Sequence, residues 1–309
     1  MSTLGGPKVI NEGMGLMLDP SNPKLTAASK NSNLLDYSTW SPGSTSAGGF
    51  SRNGDSGENM ILEGIGPFGE KALVWETRSS GNSGADGGWN SSYVSADNTK
   101  TYRISVWMKR TTSTTSGTFY LGTNGGGEAV YRMDNGAGQG NPYWECLGVG
   151  SYTQNVWYLV VGHVHPYGTP NGTAHPDTGV YTIADGKVRA IHGCNVGVDC
   201  KMGAATTSIR HRTYHYYSSR NDVRLQFAYP RIDLVDGTEP SIEELLGGSS
   251  RSIINPVNRL QKFFLKNNLR VRSLRNLGGG RSINTFAFDG TNDIIETEGS
   301  TSTSLKRTV

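Results

Sequence analysis

Between Thr101 and Lys109, the apolar residues Tyr102, Ile104, Val106 and Met108 alternate strictly with Arg103, Ser105, Trp107 and Lys109. A period of two sends successive side chains to opposite faces of an extended strand, so the four apolar residues line one face. The other face, Trp107 excepted, is expected to be wet. Segments of the same character lie at 59–62 and 72–76 before it, and at 118–122, 156–164, 179–183, 188–192, 213–217 and 223–235 after it. Gly, Asn, Asp and Ser fill the gaps, a composition that leaves no room for crossover helices. An all-β antiparallel sandwich follows. Forty-two glycines in 309 residues, with only 18% charged, fit many short strands and turns and exclude a helical bundle. In the last segment Val223, Leu225, Phe227 and Tyr229 share a face, and beyond Pro230 the apolar parity passes to Ile232 and Leu234. A bulge or edge position at Pro230 is expected.

The rest of the chain divides by composition. Residues 1–40 read as an N-terminal arm or docking strand, with one compact apolar run at Gly15–Asp19. Residues 41–248 hold the sandwich, closed by a short helix near 239–246, where Pro240 and the acids of Glu243-Glu244 suit a helix start and Gly247-Gly248 a stop. Residues 249–282 form a basic linker: Arg251 to Arg281 carries eight basic residues and no acid. Leu260, Phe263, Phe264 and Leu269 recur there at roughly helical spacing, so it reads either as an amphipathic helix or as a linker packed on its own sheet. Within the final segment, 283–309, Ile283–Phe288 has a strand pattern.

A formal charge of +3 is too small to make the whole molecule a polyanion binder, and nucleic acid is not an expected partner. No stretch approaches the ~18–20 apolar residues of a membrane span. The opening residues lack the apolar core of a signal peptide. Cys146, Cys194 and Cys200 are too few and too irregular for a disulfide framework, and free, mostly buried thiols are expected.

The segment Trp157-Tyr-Leu-Val-Val-Gly-His-Val-His-Pro166, with Pro176-Asp-Thr-Gly-Val-Tyr181, resembles a jelly-roll module of tail-fibre and other virion proteins of tailed bacteriophages. The strand Tyr102–Lys109 and the exit Tyr229–Ser241 match other pieces of it, over about residues 60 to 245. Separately, Gly6–Val9 with Gly15–Pro23, and Phe286–Asp293, resemble pieces of concanavalin-like, laminin-G-type phage structural proteins. A lectin-like sandwich of that kind requires much more chain after its Phe-Asp-Gly-Thr-Asn strand. Either the polypeptide continues beyond Val309, the favoured expectation, or a neighbouring subunit completes the strands.

The resemblance implies a virion structural protein, of tail-fibre or adhesin type, that acts by binding. Its expected location is the virion after synthesis in the host cytoplasm, its expected partners other virion proteins, and its expected state a homotrimer. A host-surface glycan is the expected ligand, and the jelly-roll carbohydrate-binding reading asks for exposed aromatic faces with amides or carboxylates nearby. Trp89 and Tyr93 in the glycine-rich loop Gly87–Tyr93, and Tyr143 with Trp144, are the candidate ligand-binding residues. The alternative is that these aromatics cover the ends of the core or sit at a subunit interface.

Other constellations are weaker. His192, Cys194, Cys200, His211 and His215 have zinc-ligand chemistry, but the cysteines stand too far apart for most zinc folds, and Thr213–Tyr217 is no helix. His163 and His165 share a strand face and could meet an iron-type ion on a trimer axis, or simply line a polar sheet face. No cofactor is expected apart from calcium, for which Asp86, Asp97 and Asp233 are the candidate oxygen ligands. No acidic pair, nucleophile elbow or phosphate loop stands out, so no enzyme is expected. A connector subunit touching only virion proteins and a polysaccharide depolymerase are the alternatives.

Overall fold

The computed structural model describes residues 33–82 and 84–247, together with the backbone of three further strands at Leu269–Val271, Ile294–Thr297 and Thr303–Ser304. The chain divides into two compact units, Ser29–Ser249 and a second made of Met1–Ala28 with Ser250–Val309.

The first unit is a jelly-roll sandwich of two sheets. The smaller sheet runs β1 (Phe50–Arg52), β4 (Ala85–Ser91), β15 (Ser208–Tyr216), β7 (Thr118–Gly126), β10 (Tyr143–Gly148), with β5 (Val94–Ser95) also on β15. The larger runs β2 (Asn59–Ile65), β3 (Lys71–Arg78), β16 (Arg224–Val235), β6 (Thr101–Arg110), β11 (Trp157–His165), β14 (Cys200–Lys201), β8 (Val130–Arg132), β9 (Gly138–Gln139). A hairpin of β12 (Gly179–Thr182) and β13 (Gly186–Arg189) joins it through β11. Pairing is antiparallel except between β11 and β14.

The alternation in β6 does what its pattern requires on one side. Tyr102, Ile104, Val106 and Met108 all enter the core between the sheets. The opposite face is not wet: Arg103, Ser105 and Trp107 are buried as well. Trp107 lies under a second apolar layer with Leu159, Tyr181, Phe68 and Leu245. Arg103 is held by the Asp233 carboxylate at 2.8 Å, itself also bound by Arg231. The covering layer arrives from other parts of the chain, which alternation within one strand cannot register.

The helix α1 (Ile242–Gly247) supplies Leu245 to that layer. Its start is fixed by a reciprocal pair, the Glu244 amide donating to Ser241 Oγ and the Ser241 amide to Glu244 Oε2. In β16 the pairing with β6 slips between Ala228 and Arg231, and Tyr229 adopts φ 50°. This is the expected bulge at Pro230. It lets Phe227 and Ile232 face the same core despite their odd spacing.

Two expectations are corrected. Ala85–Ser91 is a strand, not a loop, although Gly87 and Gly88 have φ of 116° and 107°. A Cβ at Gly88 would collide with the Thr213 carbonyl oxygen of β15, so glycine permits a close backbone approach. Cys146 and Cys194 are not free thiols but form a disulfide, with Cα atoms 5.9 Å apart. The Gly193 amide donates to the Trp144 carbonyl, which draws the Cys194 segment against β10. Cys200 alone is a buried free thiol.

In the second unit, Leu269–Val271 pairs antiparallel with Ile294–Thr297, which pairs with Thr303–Ser304. Leu269, read at helical spacing, thus falls in a strand. The remainder of the basic segment, the run at Gly15–Asp19 and the pattern at Ile283–Phe288 lie outside the described residues.

Candidate functional site

β15 alternates as a two-faced strand. Ile209, His211, Thr213 and His215 point to the core, while Arg210, Arg212, Tyr214 and Tyr216 share the outer face of the smaller sheet. Register brings their neighbours alongside: Arg212 lies between Asn90 of β4 and Gly122 of β7, Gly122 faces Tyr143 of β10, and Tyr214 faces Tyr120. At Gly122 a side chain would run into the Tyr143 ring and the Pro142 carbonyl. The missing side chain is what lets Tyr143 lie down across the sheet.

The result is a cluster of tyrosine rings on this side of the sheet, in which Tyr214 is itself buried at 2% exposure, Tyr120, Tyr143 and Tyr216 are half-buried and Tyr217 is exposed. Ring centroids are 4.9 Å apart for Tyr120–Tyr143, 6.1 Å for Tyr143–Tyr214, 5.6 Å for Tyr214–Tyr216 and 5.4 Å for Tyr216–Tyr217. Tyr217, 60% exposed and with φ 65°, turns its ring outward at the end of the strand. The Arg212 guanidinium sits 5.2 Å from the Tyr143 ring and 5.1 Å from Tyr214. Its Nε donates to the Tyr214 hydroxyl at 2.7 Å, and its Nη1 to Asn141 Oδ1 at 2.9 Å. Asn90 Oδ1 accepts from the Tyr214 hydroxyl, and Asn53 Oδ1 from Tyr216 at 3.1 Å. Burial raises the Tyr120, Tyr143 and Tyr214 phenols above their ordinary range, so they stay neutral and can both donate and accept.

Of the four aromatics picked from sequence, two belong to this surface. Tyr143 is at its centre, and Tyr93, 43% exposed, extends it under the Arg210 guanidinium at 4.8 Å. Trp89 and Trp144 do not: both are fully buried in the main core. Each sits next to an outward residue in a strand, Asn90 and Tyr143, and the pleat turns it inward. Tyr120, Tyr214, Tyr216, Tyr217, Arg210, Arg212 and Asn90 were missed. Alternation in Thr213–Tyr217 marks an outward tyrosine pair, but only sheet order puts β7 and β10 beside it.

The metal candidates are dispersed. His211 bonds to the Ser105 carbonyl and His215 to that of Ser116, both inside the core; Cys194 is in the disulfide, and the backbone amide of His192 donates to Glu145. His163 and His165 face a buried polar cluster within the chain: His163 stacks on His175 at 3.8 Å, and His165 bonds to Asp199 at 3.0 Å. Asp86 accepts from Ser79 and Ser218, Asp97 from Thr99, and Asp233 holds its two arginines. The three aspartates are thus each engaged separately. Among the described residues no group of three or more such side chains is arranged to hold a metal ion.

No protein-family model matches the chain, and no curated protein matches it. Solved structures with some likeness include the CBM22-1 xylan-binding domain of Paenibacillus barcinonensis Xyn10C, at 13% identity over 65% of this chain and 96% of that one, TM-score 0.33. Another is the C-terminal family 22 carbohydrate binding module of Clostridium thermocellum Xyn10B, at 12% identity over 67% and 99%, TM-score 0.33. An exo-beta-agarase matches at 9% identity over 69% of this chain and 26% of that one, TM-score 0.40. The functional reading rests instead on the geometry of the tyrosine face.

Proposed function

We propose that the jelly-roll unit is a glycan-binding module whose ligand lies along the outer face of the smaller sheet, and that it acts by attachment without turnover. The observation that carries this is the group of Tyr143, Tyr120, Tyr216 and Tyr217, packed about the buried Tyr214 and interleaved with Asn90, Asn141 and Arg212. Aromatic faces stack on the C–H side of pyranose rings, and amides with a guanidinium meet the hydroxyls. Among the described residues, no carboxylate takes part in the hydrogen bonds of these tyrosines or of Arg212, whereas glycoside hydrolysis ordinarily needs two placed about the scissile bond. The resemblance to virion jelly-roll modules supports the setting: a fibre or adhesin subunit of a tailed phage, repeated in a homotrimer.

The test is a binding screen on immobilised capsular polysaccharide and lipopolysaccharide, with a reducing-end assay on the same polymers. The expected result is binding with no release of reducing ends. In a variant carrying Tyr143→Ala and Tyr217→Ala, affinity for any polymer bound is expected to fall at least tenfold, about 1.4 kcal/mol, while the variant stays folded with only a small fall in melting temperature. Undiminished binding by that variant would remove the face from the account, and steady release of reducing ends would make the protein a depolymerase.

A further inference from the structure

Several arginines of the sandwich are paired with an acid. Arg103 and Arg231 share Asp233, and Arg189 meets Glu145 at 2.6 Å. Arg110 has no acid, but its guanidinium donates to the Tyr152 and Thr112 carbonyls. Arg210 and Arg212 on the tyrosine face differ. They stand two residues apart on the outer side of β15, about 6.6 Å along the strand, and neither forms an ion pair among the described residues.

Arg212 is only 9% exposed. Its Nε and Nη1 are used on Tyr214, Asn90, Asn141 and the Gly140 carbonyl, while Nη2 makes no hydrogen bond among the described residues. The Nε of Arg210 is buried with no partner, while its guanidinium lies over Tyr93. Of these nitrogens only Arg210 Nε is buried without a partner among the described residues, and a carboxylate offered to the outer donors of the pair gains charge-assisted hydrogen bonds beside it. Contact with the tyrosine rings positions each guanidinium to donate its remaining N–H groups to an anion.

We infer that the tyrosine face takes an anionic glycan, a polymer of uronic or ulosonic acid residues, whose carboxylates are received by Arg212 and Arg210 while the sugar rings stack on Tyr143, Tyr120 and Tyr93. This rests on the glycan-binding reading above and adds the charge of the ligand. Sugar hydroxyls alone would satisfy the amides of the face but leave both cations uncompensated.

The experiment uses the full chain with polygalacturonate, alginate and polysialic acid, each beside its carboxyl-reduced form, in which every carboxylate is a primary alcohol and the ring stereochemistry is kept. At least one acidic polymer is expected to bind about tenfold or more tightly than its reduced form, a preference that shrinks as salt rises. Arg210→Gln should lower affinity for the acidic polymer by a larger factor than for the reduced form, so that the preference for the acid shrinks, while Arg210→Lys retains part of that preference. Melting curves confirm that each variant is folded. Equal affinity for the acidic and reduced forms would overturn the inference and leave glycan binding standing. Failure of the folded protein to bind any acidic or reduced polymer would overturn both.

Discussion

Acidification from pH 7 to pH 4 is expected to remove roughly 6 kcal/mol of folding stability, chiefly through two core histidines. Burial pushes the His211 imidazole down to about 4, opposed only by its bond to the Ser105 carbonyl. Burial likewise takes His215 to about 4, against the Ser116 carbonyl and Glu58. Both rings stay neutral in the folded chain, whereas the unfolded chain takes up protons near pH 6.5. Their stabilisation is therefore complete above about pH 6.5 and is lost as pH falls through 4, at about 3 kcal/mol for each ring. His163, held well below its ordinary value by burial and by His175, acts in the same direction. Asp86 acts in the opposite one, because burial raises its carboxyl and protonation relieves it. Guanidinium unfolding at pH 7, 5.5 and 4 reads the slope directly. A His211→Gln, His215→Gln variant should flatten it, and a stability independent of pH in the parent protein would contradict the buried placement of both rings.

Trp89→Ala is expected to cost about 3–5 kcal/mol, near the limit of what a domain of ordinary stability survives. The indole is fully buried and is enclosed by Trp75 at 5.2 Å, Trp40 at 5.4 Å, Phe227 at 5.5 Å and Phe50 at 6.0 Å, with His211 stacked on it at 5.8 Å. It joins both sheets and the Trp40 segment, so its removal leaves a cavity that no single neighbour can fill. Tyr143→Ala, on the outer face, should lose much less stability. The check is the denaturant midpoint of the two variants side by side. A Trp89→Ala protein that stays as stable as its parent but no longer binds glycan would return Trp89 to the ligand.

These two aromatics also show how far a sequence can be read. Strands with a strong pattern of their own were legible: β6, β7 and β16 lie where side-chain parity puts them, β11 where its continuous apolar run does, and the shift at Pro230 announced its bulge. β4 was not legible, because Ala-Asp-Gly-Gly-Trp-Asn-Ser has the composition of a turn. Its glycines serve contact with the β15 backbone, a demand made by a strand more than 100 residues away. Once β4 and β10 are strands, the pleat decides the site: Asn90 and Tyr143 face out, Trp89 and Trp144 face in. The tyrosine face was half legible for a related reason. Tyr214 and Tyr216 share a face by their spacing, but Tyr120, Tyr143 and Tyr93 join them through sheet order. The disulfide was hidden in the same way, since a separation of 48 residues says nothing of proximity.

The most direct test of the glycan-binding face is hydroxyl-radical footprinting of the intact protein with and without a bound polysaccharide, read residue by residue by mass spectrometry. The account predicts protection of Tyr93, Tyr120, Tyr143, Tyr216 and Tyr217, with Tyr167 and Ile183 as reactive as before. Protection centred on Tyr167, Ile183 or the outer side of the larger sheet, with the tyrosine face unchanged, would contradict it.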